Sequence, residues 1–419
     1  MKNILICLEK LDIGGVETSV ITQAKEYQKR GYKVIILSKK GIYTSILEKC
    51  GISCYEYDFK LEDRFFIEES KKIEEIINKE KITEVHIHQY PCIIHLLPIL
   101  LKLNIPYIAF NHSIVDGVYE HYMNCYKTFK LALPLFFQKS SKIIVIREEE
   151  IKRNSELFNI DKSKYFLLKN SINFDEINIS SEIPKSIKNY LLVSRISEEK
   201  LLSIKSGIKY FLKQKEKNKD INLKVIGDGA YLENIKKEFS DENITYIGKV
   251  SNVYDYIEKS DVVIGVDRCI IEAICHKKLA IISNYQGKLI LVNPSNINYL
   301  SKENFSGNNI TDNMIEKINL NKINYKKITT DNYKYAYKEL NISNNIFDKK
   351  LEKSEYNNWQ EIFNYSNLLN SNIVEEQQIS KKLYLENQNL YKKINIYKEK
   401  LNQNYIRRIK NKIRKIINK

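Results

Sequence analysis

The sequence predicts an α/β protein built on buried parallel strands, and three observations support this class. Short apolar runs, such as those at 191–193 and 223–226, end in polar or glycine residues where a strand would pass into a helix. The amino terminus reads as strand, helix and second strand, which is a βαβ unit. The 419 residues are enough for two cores of ordinary domain size and a smaller appendage.

The βαβ unit begins with an apolar run at 2–8 and reaches its second run at 33–38. The helix between them closes at Arg30 and Gly31, and one of its faces carries four apolar residues: Val16, Val20, Ala24 and Tyr27. Gly14 and Gly15 stand between the first strand and the helix, where free backbone N–H groups can face a ligand. A plain tight turn is the alternative explanation of these two glycines.

The first half of the chain continues with a predicted surface helix and three predicted strands, at 68–80, 82–90, 105–113 and 142–146. His86 and His88 lie on one face of the first of these strands, a pattern that a pair of metal ligands could share. No third ligand follows at a suitable spacing, which favours a structural or cleft-lining role. His112 ends the next strand, where a histidine can act as a general base, donate a hydrogen bond or simply complete a loop.

Charged residues follow two predicted strands of the second half. Arg195 and Lys200 stand five positions apart in a turn that leaves a strand, and they could reach the same phosphate of a diphosphate leaving group. Glu272 lies where the apolar run 262–266 leads into a helix starting near Arg268, and an acceptor-only carboxylate there suits a ribose diol. Solvation of the two cations and compensation of the helix dipole by the carboxylate are the alternatives.

Glycines follow another predicted strand of the second half. Gly227 and Gly229 flank Asp228 directly after the run 223–226. Without a Cβ, a glycine lets the backbone approach a ligand closely or turn with a positive φ, although a glycine after a strand is more often only a turn. The functional interpretation of all these residues depends on their joint occurrence at the ends of different strands.

Composition narrows the class of protein further. A content of 43% hydrophobic and 29% charged residues is typical of a globular protein rather than a disordered one. The seven cysteines include no CxxC pair, so we expect reduced thiols of a cytosolic protein rather than a disulfide framework or a zinc site. The amino terminus enters a strand directly, without a signal-peptide pattern. Polar residues and Pro106 interrupt the most apolar region, at 92–110, which therefore does not predict a bilayer span.

The carboxyl-terminal tail carries most of the excess positive charge. Residues 381–419 contribute +11 of the formal net charge of +16, because thirteen Lys or Arg face only two Glu there. Apolar residues at heptad-like spacing predict a short coiled coil over 381–404, with Asn387 at a core position. A helix docked on its own domain is the alternative.

Residues 405–419 predict a basic amphipathic helix, because isoleucines fall on one face and Lys and Arg cover the rest. Such a helix lies on an anionic membrane surface. Nucleic-acid binding is less favoured, because aromatic residues for base stacking are nearly missing from the segment. A solvated basic end is the third explanation.

Several of these segments resemble glycosyltransferase family 4. Residues 195–200 (RISEEK) are similar to the family's Arg-Leu-x-x-x-Lys element, and 225–229 (VIGDG) to its Gly-x-Gly strand end. Residues 270–283 are similar to the Glu-Ala segment that contacts the donor nucleotide. At the amino terminus, 14–20 (GGVETSV) and 30–38 (RGYKVIILS) look like the family's first signature. The resemblance implies nucleotide-sugar chemistry.

The resemblance extends over roughly residues 1–345 and implies a GT-B fold, in which two Rossmann-like domains face each other across a cleft. It predicts an amino-terminal acceptor domain at 1–175 and a nucleotide-sugar domain at 189–345. A helical carboxyl-terminal extension would follow, as a crossover or linker at 346–380, the coiled coil at 381–404 and the tail at 405–419.

The resemblance also implies roles for the candidate residues. Arg195 and Lys200 would stabilise the departing diphosphate, and His112 would lie close to the transferred sugar. Donor contacts are implied for five further residues: Gly14, Gly15, Gly227, Gly229 and Glu272. No metal ligand and no cofactor besides the donor substrate are expected.

Some positions depart from the family pattern. Ile264 stands where the family often has a second Glu that contacts the sugar, and Leu201 stands where a Gly usually follows the Lys. At the domain junction Ser171 replaces a Gly after the retained Asn170, and 275–278 (CHKK) replaces a small residue and Gly-x-Pro. These changes leave the phosphate-binding pair intact but leave the identity of the sugar open.

The sequence therefore predicts a glycosyltransferase that moves a hexose-type sugar from a nucleoside-diphosphate sugar to a lipid-linked or cell-surface polysaccharide acceptor, with retention and without a metal. The chain contains no Asp-x-Asp motif, which agrees with charge neutralisation by side chains. We expect a cytoplasmic protein at the inner face of the cell membrane, with an anionic membrane surface and a second copy as partners and no nucleic acid. A nucleotide-sugar epimerase on the same fold and a degenerate scaffold are the alternatives.

Overall fold

The computed structural model of the chain describes residues 2–62, 64–112, 127–177, 184, 186–250, 252–315, 318–351 and 386. The chain divides into two compact units, Met1–Glu62 with Phe66–Asn357 and Asp63–Phe65 with Asn358–Lys419. Apart from Glu386, the coiled coil predicted at 381–404 and the basic tail predicted at 405–419 lie outside the described residues. Most of the crossover predicted at 346–380 lies outside them too.

The first sheet has seven strands: β1 (Asn3–Lys10), β2 (Lys33–Lys39), β3 (Ser53–Glu56), β4 (Glu84–Ile87), β5 (Tyr107–Asn111), β6 (Lys142–Val145) and β7 (Tyr165–Leu167). They are parallel and follow the order β3-β2-β1-β4-β5-β6-β7. The helices among them are α1 (Gly15–Lys29), α2 (Thr44–Lys49), α3 (Lys71–Glu80), α4 (Ile93–Leu103), α5 (Lys127–Lys139) and α6 (Glu148–Phe158). The inner strands are mostly buried and apolar, as in parallel sheets covered on both faces, although β4 also buries Glu84 and His86.

Helix α1 follows the predicted amphipathic pattern. Val20, Ala24 and Tyr27 are buried on its inner face, where they pack with the apolar residues of β1 and β2. Gly31 follows the helix with a φ of 84°, a left-handed conformation that glycine adopts without a steric penalty. The predicted βαβ unit is confirmed.

The second sheet has six strands: β8 (Asn189–Val193), β9 (Asn222–Ile226), β10 (Ile244–Gly248), β11 (Val262–Gly265), β12 (Leu279–Ser283) and β13 (Leu289–Leu291). Their order is β10-β9-β8-β11-β12-β13, and only β13 is antiparallel to its neighbour. The helices here are α7 (Leu201–Lys215), α8 (Leu232–Glu238), α9 (Tyr254–Glu258), α10 (Arg268–Cys275), α11 (Ile297–Ser301) and α12 (Tyr325–Glu339). The strand order reverses between β8 and β11, and ligands of open α/β sheets bind beyond the carboxyl ends of strands at such a switch point.

Alternate residues of the second sheet enter two separate cores. Leu191 and Val263 pack on one face with residues of α10 and α12, whereas Leu192 and Ile264 pack on the other face with α7. Ile264 is fully buried in β11, so its side chain belongs to the core. The two packed faces hold the carboxyl ends of β8 and β11 side by side.

After α12 the chain returns to the first sheet. The N–H of Ile172 donates to the carbonyl of Leu340 at 2.9 Å, and the N–H of Ile342 donates to the carbonyl of Ile172 at 3.0 Å. Further along, the Tyr27 hydroxyl donates to the carbonyl of Phe347 at 2.7 Å. We refer below to the described residues 2–177 as the first half and to 186–339 as the second half, and the chain that returns at 340–342 pairs with Ile172 of the first half.

Two sequence predictions differ from the observed elements. The surface helix predicted at 68–80 begins only at Lys71, and the strand at Ser53–Glu56 was not predicted. That strand is short, and its residues are partly or fully exposed at the sheet edge, which removes the apolar signal. Within the described ranges no helix is both long and apolar enough to cross a membrane.

Candidate functional site

The loops after β8 and β9 are joined backbone to backbone. The N–H of Ser194 donates to the carbonyl of Ile226 at 3.0 Å, and the N–H of Ile196 donates to the carbonyl of Asp228 at 2.9 Å. Gly227 and Gly229 have φ values of 143° and 151°. A Cβ on Gly227 would lie 1.8 Å from the carbonyl oxygen of Ser194, and one on Gly229 would lie 2.3 Å from that of Ile196. The two glycines thus permit the close approach that holds the turn carrying Arg195.

Arg195 and Lys200 lie on this turn, which runs into α7. The Arg195 guanidinium donates to Oε1 of Glu199 at 2.9 Å, and the arginine side chain is 71% exposed. The Nζ atom of Lys200 lies 5.6 Å from the centre of the Tyr285 ring, a distance that suits a cation–π contact. Both cations therefore stand at the carboxyl end of β8, at the switch point of the second sheet.

Glu272 is buried one turn inside α10 and has a cationic partner. Its Oε1 accepts from Nε of Arg268 at 3.0 Å, and Nη1 of the same arginine donates to the carbonyl of Ser171 at 3.3 Å. Burial raises the pKa of Glu272, and the neighbouring guanidinium opposes that rise. The predicted ribose contact of Glu272 stays a prediction.

The electrostatic surroundings of two residues, Cys269 and Tyr285, connect the three charged groups Arg195, Lys200 and Glu272. Burial and the charge of Glu272, partly opposed by Lys200, raise the pKa of the Cys269 thiol to about 12. Lys200, which precedes α7, and Glu272, which lies in α10, thus both affect the pKa of the same thiol. Burial and Asp267 raise the pKa of the Tyr285 hydroxyl, whereas Arg147 and Arg195 lower it.

His112 is half-buried and pairs with the buried His88. The Nε2 atom of His112 lies 2.8 Å from Nδ1 of His88, and the two rings stack with centres 5.1 Å apart. Burial and, to a smaller extent, the charge of Arg147 lower the pKa of His112 to about 4. Both rings are therefore neutral near pH 7 and share one N–H between them. His86, in β4, contacts Glu84 at 3.1 Å instead, so it and His88, which follows the strand, have separate partners.

Gly14 and Gly15 begin α1. Gly14 is extended, with a φ of −173°, and the side chain of Glu17 lies directly over it. Nothing lies within 4 Å of the position that a Cβ on Gly15 would take. The Glu17 carboxylate accepts from Nε2 of Gln89 at 3.1 Å, and burial raises the pKa of this carboxyl group. A carboxylate of the chain itself therefore stands at the amino end of α1, which favours anions.

The sequence analysis missed three residues that lie among these groups: Arg147, Asp267 and Tyr285. Nη2 of Arg147 lies 3.1 Å from Oδ1 of Asp267, so a residue of the first half is paired with one of the second. Each of the three follows a buried strand within two residues, at the ends of β6, β11 and β12. That position was the available signal, because parallel strands bring their carboxyl ends to one edge of a sheet. We call Arg147, Arg195 and Lys200 the cation cluster.

A small cavity, about the size of one water molecule, lies on the first-half side of the connection between the halves. Gln23, His112, Asn170 and Asn345 are among the residues that line it. It is too small for a nucleotide, and it adds no member to the cation cluster. Over the described part of the chain, no group of three or more His, Cys, Asp or Glu side chains is arranged to hold a metal ion.

Comparison with known proteins relates part of the first half to a known family. Residues 13–176 match the family model described as Glycosyltransferase Family 4. A search of curated proteins gave no match.

Several solved structures share the fold at low sequence identity. HepE from Anabaena, in complex with UDP and glucose, has a TM-score of 0.59 at 13% identity, with 82% of this chain and 96% of that chain covered. Sucrose-phosphate synthase from Thermosynechococcus elongatus has a TM-score of 0.57 at 12% identity, with coverages of 90% and 100%. A mutant of S. aureus TarM, in complex with fondaparinux, α-GlcNAc-glycerol and UDP, has a TM-score of 0.52 at 13% identity, with coverages of 82% and 94%. These likenesses confirm the predicted GT-B fold with its two Rossmann-like sheets. Residues 13–176 are thus similar to glycosyltransferase family 4, the chain has the GT-B fold, and the two findings together support a glycosyltransferase.

Proposed function

We propose that the protein transfers a sugar from a nucleoside-diphosphate sugar to a lipid-linked or cell-surface polysaccharide acceptor, without a metal ion and with retention of configuration. The single observation that carries this proposal is the pair of cations at the switch point of the second sheet. Arg195 and Lys200 stand on one turn at the end of β8, next to Tyr285. Two positive charges so placed suit a diphosphate.

In the proposed reaction the bond between the anomeric carbon and the terminal phosphate oxygen of the donor breaks, and the nucleoside diphosphate leaves with the electron pair. The acceptor hydroxyl forms the new bond to that carbon, and its proton passes to the departing diphosphate. Arg195 and Lys200 neutralise the charge that develops on the leaving diphosphate. The side chain of Arg195 is 71% exposed, and an exposed ion pair is worth about 0–1 kcal/mol, so a diphosphate can readily displace Glu199.

The other predicted contacts have separate tasks in this proposal. Glu272 accepts hydrogen bonds from the ribose hydroxyls with Oε2, because Oε1 accepts from Arg268. Gly15 admits the donor at the start of α1, where no side chain fills the space. His112 is neutral near pH 7 and stands near the reacting carbon as a hydrogen-bonding group rather than as a cation.

The acceptor and the membrane belong to the proposal as well. The TarM structure named above contains a glycan-type ligand together with UDP, which supports a saccharide-bearing acceptor for a chain of the same fold. The basic tail, with its share of the +16 net charge, supports association with an anionic membrane at its cytoplasmic face, and the segment 381–404 supports self-association. Liposome sedimentation with and without residues 405–419 tests the membrane contact, and equal pelleting of the two chains would exclude it.

Nucleoside-diphosphate binding and donor turnover test the proposed function. Titration calorimetry with UDP, GDP and ADP should show binding to the wild type, and Arg195→Ala with Lys200→Ala should weaken it by about 100-fold or more, since each charge-assisted contact is worth about 1.5–3 kcal/mol. Lys209→Ala is the matched control, because Lys209 is exposed on the same helix, α7. Failure of the wild type to bind any of the three nucleotides would contradict the proposal. With a donor sugar and no acceptor, a change of the sugar on the intact donor would indicate an epimerase instead.

A further inference from the structure

Arg147 is a buried cation between the two halves of the molecule. It stands two residues after β6 and immediately before α6, and it is 7% exposed. Its Nη1 contacts Oε1 of Glu150 at 3.3 Å within the first half, and its Nη2 contacts Oδ1 of Asp267 in the second half at 3.1 Å. The Nε atom is buried and has no hydrogen-bond partner among the described residues. A buried guanidinium with an unpartnered donor is costly, which points to an acceptor that a ligand would supply.

The position of Arg147 agrees with that of the other two cations. Arg147 and Arg195 both lower the pKa of the Tyr285 hydroxyl, so both lie within electrostatic reach of it. Lys200 lies over the ring of the same tyrosine. The three cations therefore approach one side chain, two from the second half and one from the first.

Each arginine of the cation cluster is paired with a carboxylate of the chain. Glu199 accepts from Arg195 at 2.9 Å, and Asp267 accepts from Arg147 at 3.1 Å. A carboxylate presents to a guanidinium the same arrangement of anionic oxygens that a phosphate presents. The backbone of Asp267 is held in place, because its N–H donates to the carbonyl of Phe305 at 3.0 Å.

We propose that Arg147, contributed by the first half, is a third phosphate-binding residue. Asp267 occupies its guanidinium in the absence of the donor, and the donor phosphate displaces Asp267 from Arg147 when it binds. The inference depends on the proposed function, because its ligand is the diphosphate of the donor. Residues of both halves then hold the same diphosphate. The bound donor therefore forms a bridge of contacts between the first half and the second.

A structural clamp is the competing explanation of the Arg147–Asp267 pair. Other contacts already join α6 to the second half: the N–H of Glu148 donates to the carbonyl of Lys302 at 3.0 Å, and that of Glu149 donates to Oε1 of Glu303 at 3.2 Å. If the pair only holds the halves together, loss of either partner weakens the same contact. Both substitutions would then change nucleotide affinity in the same direction.

The two explanations predict opposite signs for the two substitutions. Titration calorimetry of the full chain with UDP, GDP and ADP, each alone, measures the effect. We expect Arg147→Gln to weaken nucleoside-diphosphate binding by about 10- to 100-fold, since it removes a charge-assisted contact. We expect Asp267→Asn to strengthen binding by about 3- to 10-fold, because it removes the competing anion at nearly constant shape. Arg153→Gln is the control, with the same charge change on an arginine of α6 that is 39% exposed.

Three outcomes would overturn the inference. The first is unchanged binding in Arg147→Gln, and the second is unchanged or weaker binding in Asp267→Asn. The third is a wild type that binds none of the three nucleotides, which would overturn the proposed function as well. Circular dichroism and thermal unfolding check each variant. Should Arg147→Gln fail to fold, Asp267→Asn decides alone, because its partly exposed side chain keeps the same size.

Discussion

Two arginine–glutamate pairs stand at the starts of the helices that follow β8 and β11, and they differ in burial. Arg195 contacts Glu199 at 2.9 Å and Arg268 contacts Glu272 at 3.0 Å, in both cases four residues apart. The Arg195 side chain is 71% exposed, whereas that of Arg268 is 10% exposed. An exposed pair contributes about 0–1 kcal/mol, but removing one partner of a buried pair costs about 3–5 kcal/mol. The same residue types therefore form an exchangeable contact at one strand end and a fixed one at the other.

The buried pair also has a second attachment that the exposed pair lacks. Arg268 donates to the carbonyl of Ser171, next to Ile172, whose backbone pairs with the returning chain at 340–342. The pair thus fixes α10 to the connection between the halves. Among the contacts of the described chain, the Arg195 side chain bonds only to Glu199 of its own turn. Its guanidinium is therefore available for an anionic ligand.

The largest effect should come from breaking the buried pair. We expect Arg268→Gln to lower the free energy of unfolding by about 3–5 kcal/mol, because it leaves the Glu272 carboxylate buried without its cation. Arg195→Gln makes the same change in the exposed pair and should alter stability by less than about 1 kcal/mol. Urea denaturation of both variants provides the measurement. Equal losses in the two variants would contradict the distinction drawn from burial.

A pH-dependent effect should come from a third pair, between Arg147 and Glu150. Burial raises the pKa of Glu150 from 4.5 to about 8, Arg147 opposes this shift, and Glu303 and Glu149 add to it. Because the folded state binds this proton more tightly, the resulting stability is fully present below pH 4.5 and is lost as the pH rises through about 8.

Glu150→Gln should remove that dependence, so the wild type should lose stability relative to the variant between pH 4.5 and pH 8. Thermal unfolding across this range measures the difference. Glu156→Gln, on the exposed side of α6, should keep the wild-type profile. A wild type that instead gains stability relative to Glu150→Gln as the pH rises would show that Glu150 is ionised in the folded state.

The smallest effect should come from releasing the exposed pair. Glu199→Gln should leave the stability within about 0.5 kcal/mol of the wild type and strengthen nucleoside-diphosphate binding by about two- to three-fold, because Arg195 loses its competing carboxylate. Glu198→Gln removes the same charge one residue away, where no contact with Arg195 is made in the described structure. Calorimetry that finds equal affinities for the two variants would mean that only net charge matters at this turn.

The sequence predicted which charged residues follow strands, but it did not predict which residues contact them in the folded molecule. Arg195, Lys200 and Glu272 were found because each follows an apolar run that any parallel strand would show. Arg147 belongs to the same class, yet nothing in its run of charged residues distinguishes it from a solvated helix start. Its importance depends on Asp267, which is 120 residues away in sequence and 3.1 Å away in space.

The two glycines after β9 show the same limit: the sequence predicts their place but not their contacts. Gly227 and Gly229 were predicted to admit a ligand, and they stay candidates for that role. The contacts that require them are with the backbone carbonyls of Ser194 and Ile196. A glycine at a strand end allows another group to approach the backbone closely, but the sequence does not indicate whether that group belongs to a ligand or to the chain itself. Only the packing of two neighbouring loops supplies that partner.

The sequence by itself determined the α/β class, the family resemblance and the residue types at the strand ends, because apolar periodicity and short motifs are local properties of the chain. The tertiary structure alone decided which of the charged residues share surroundings, which are buried and which are exposed. Burial changes the free energy of an ion pair several-fold, and burial is a property of the packed molecule. Arg195 and Arg268 have the same chemistry and the same spacing to a glutamate, and only their surroundings make one exchangeable and the other fixed.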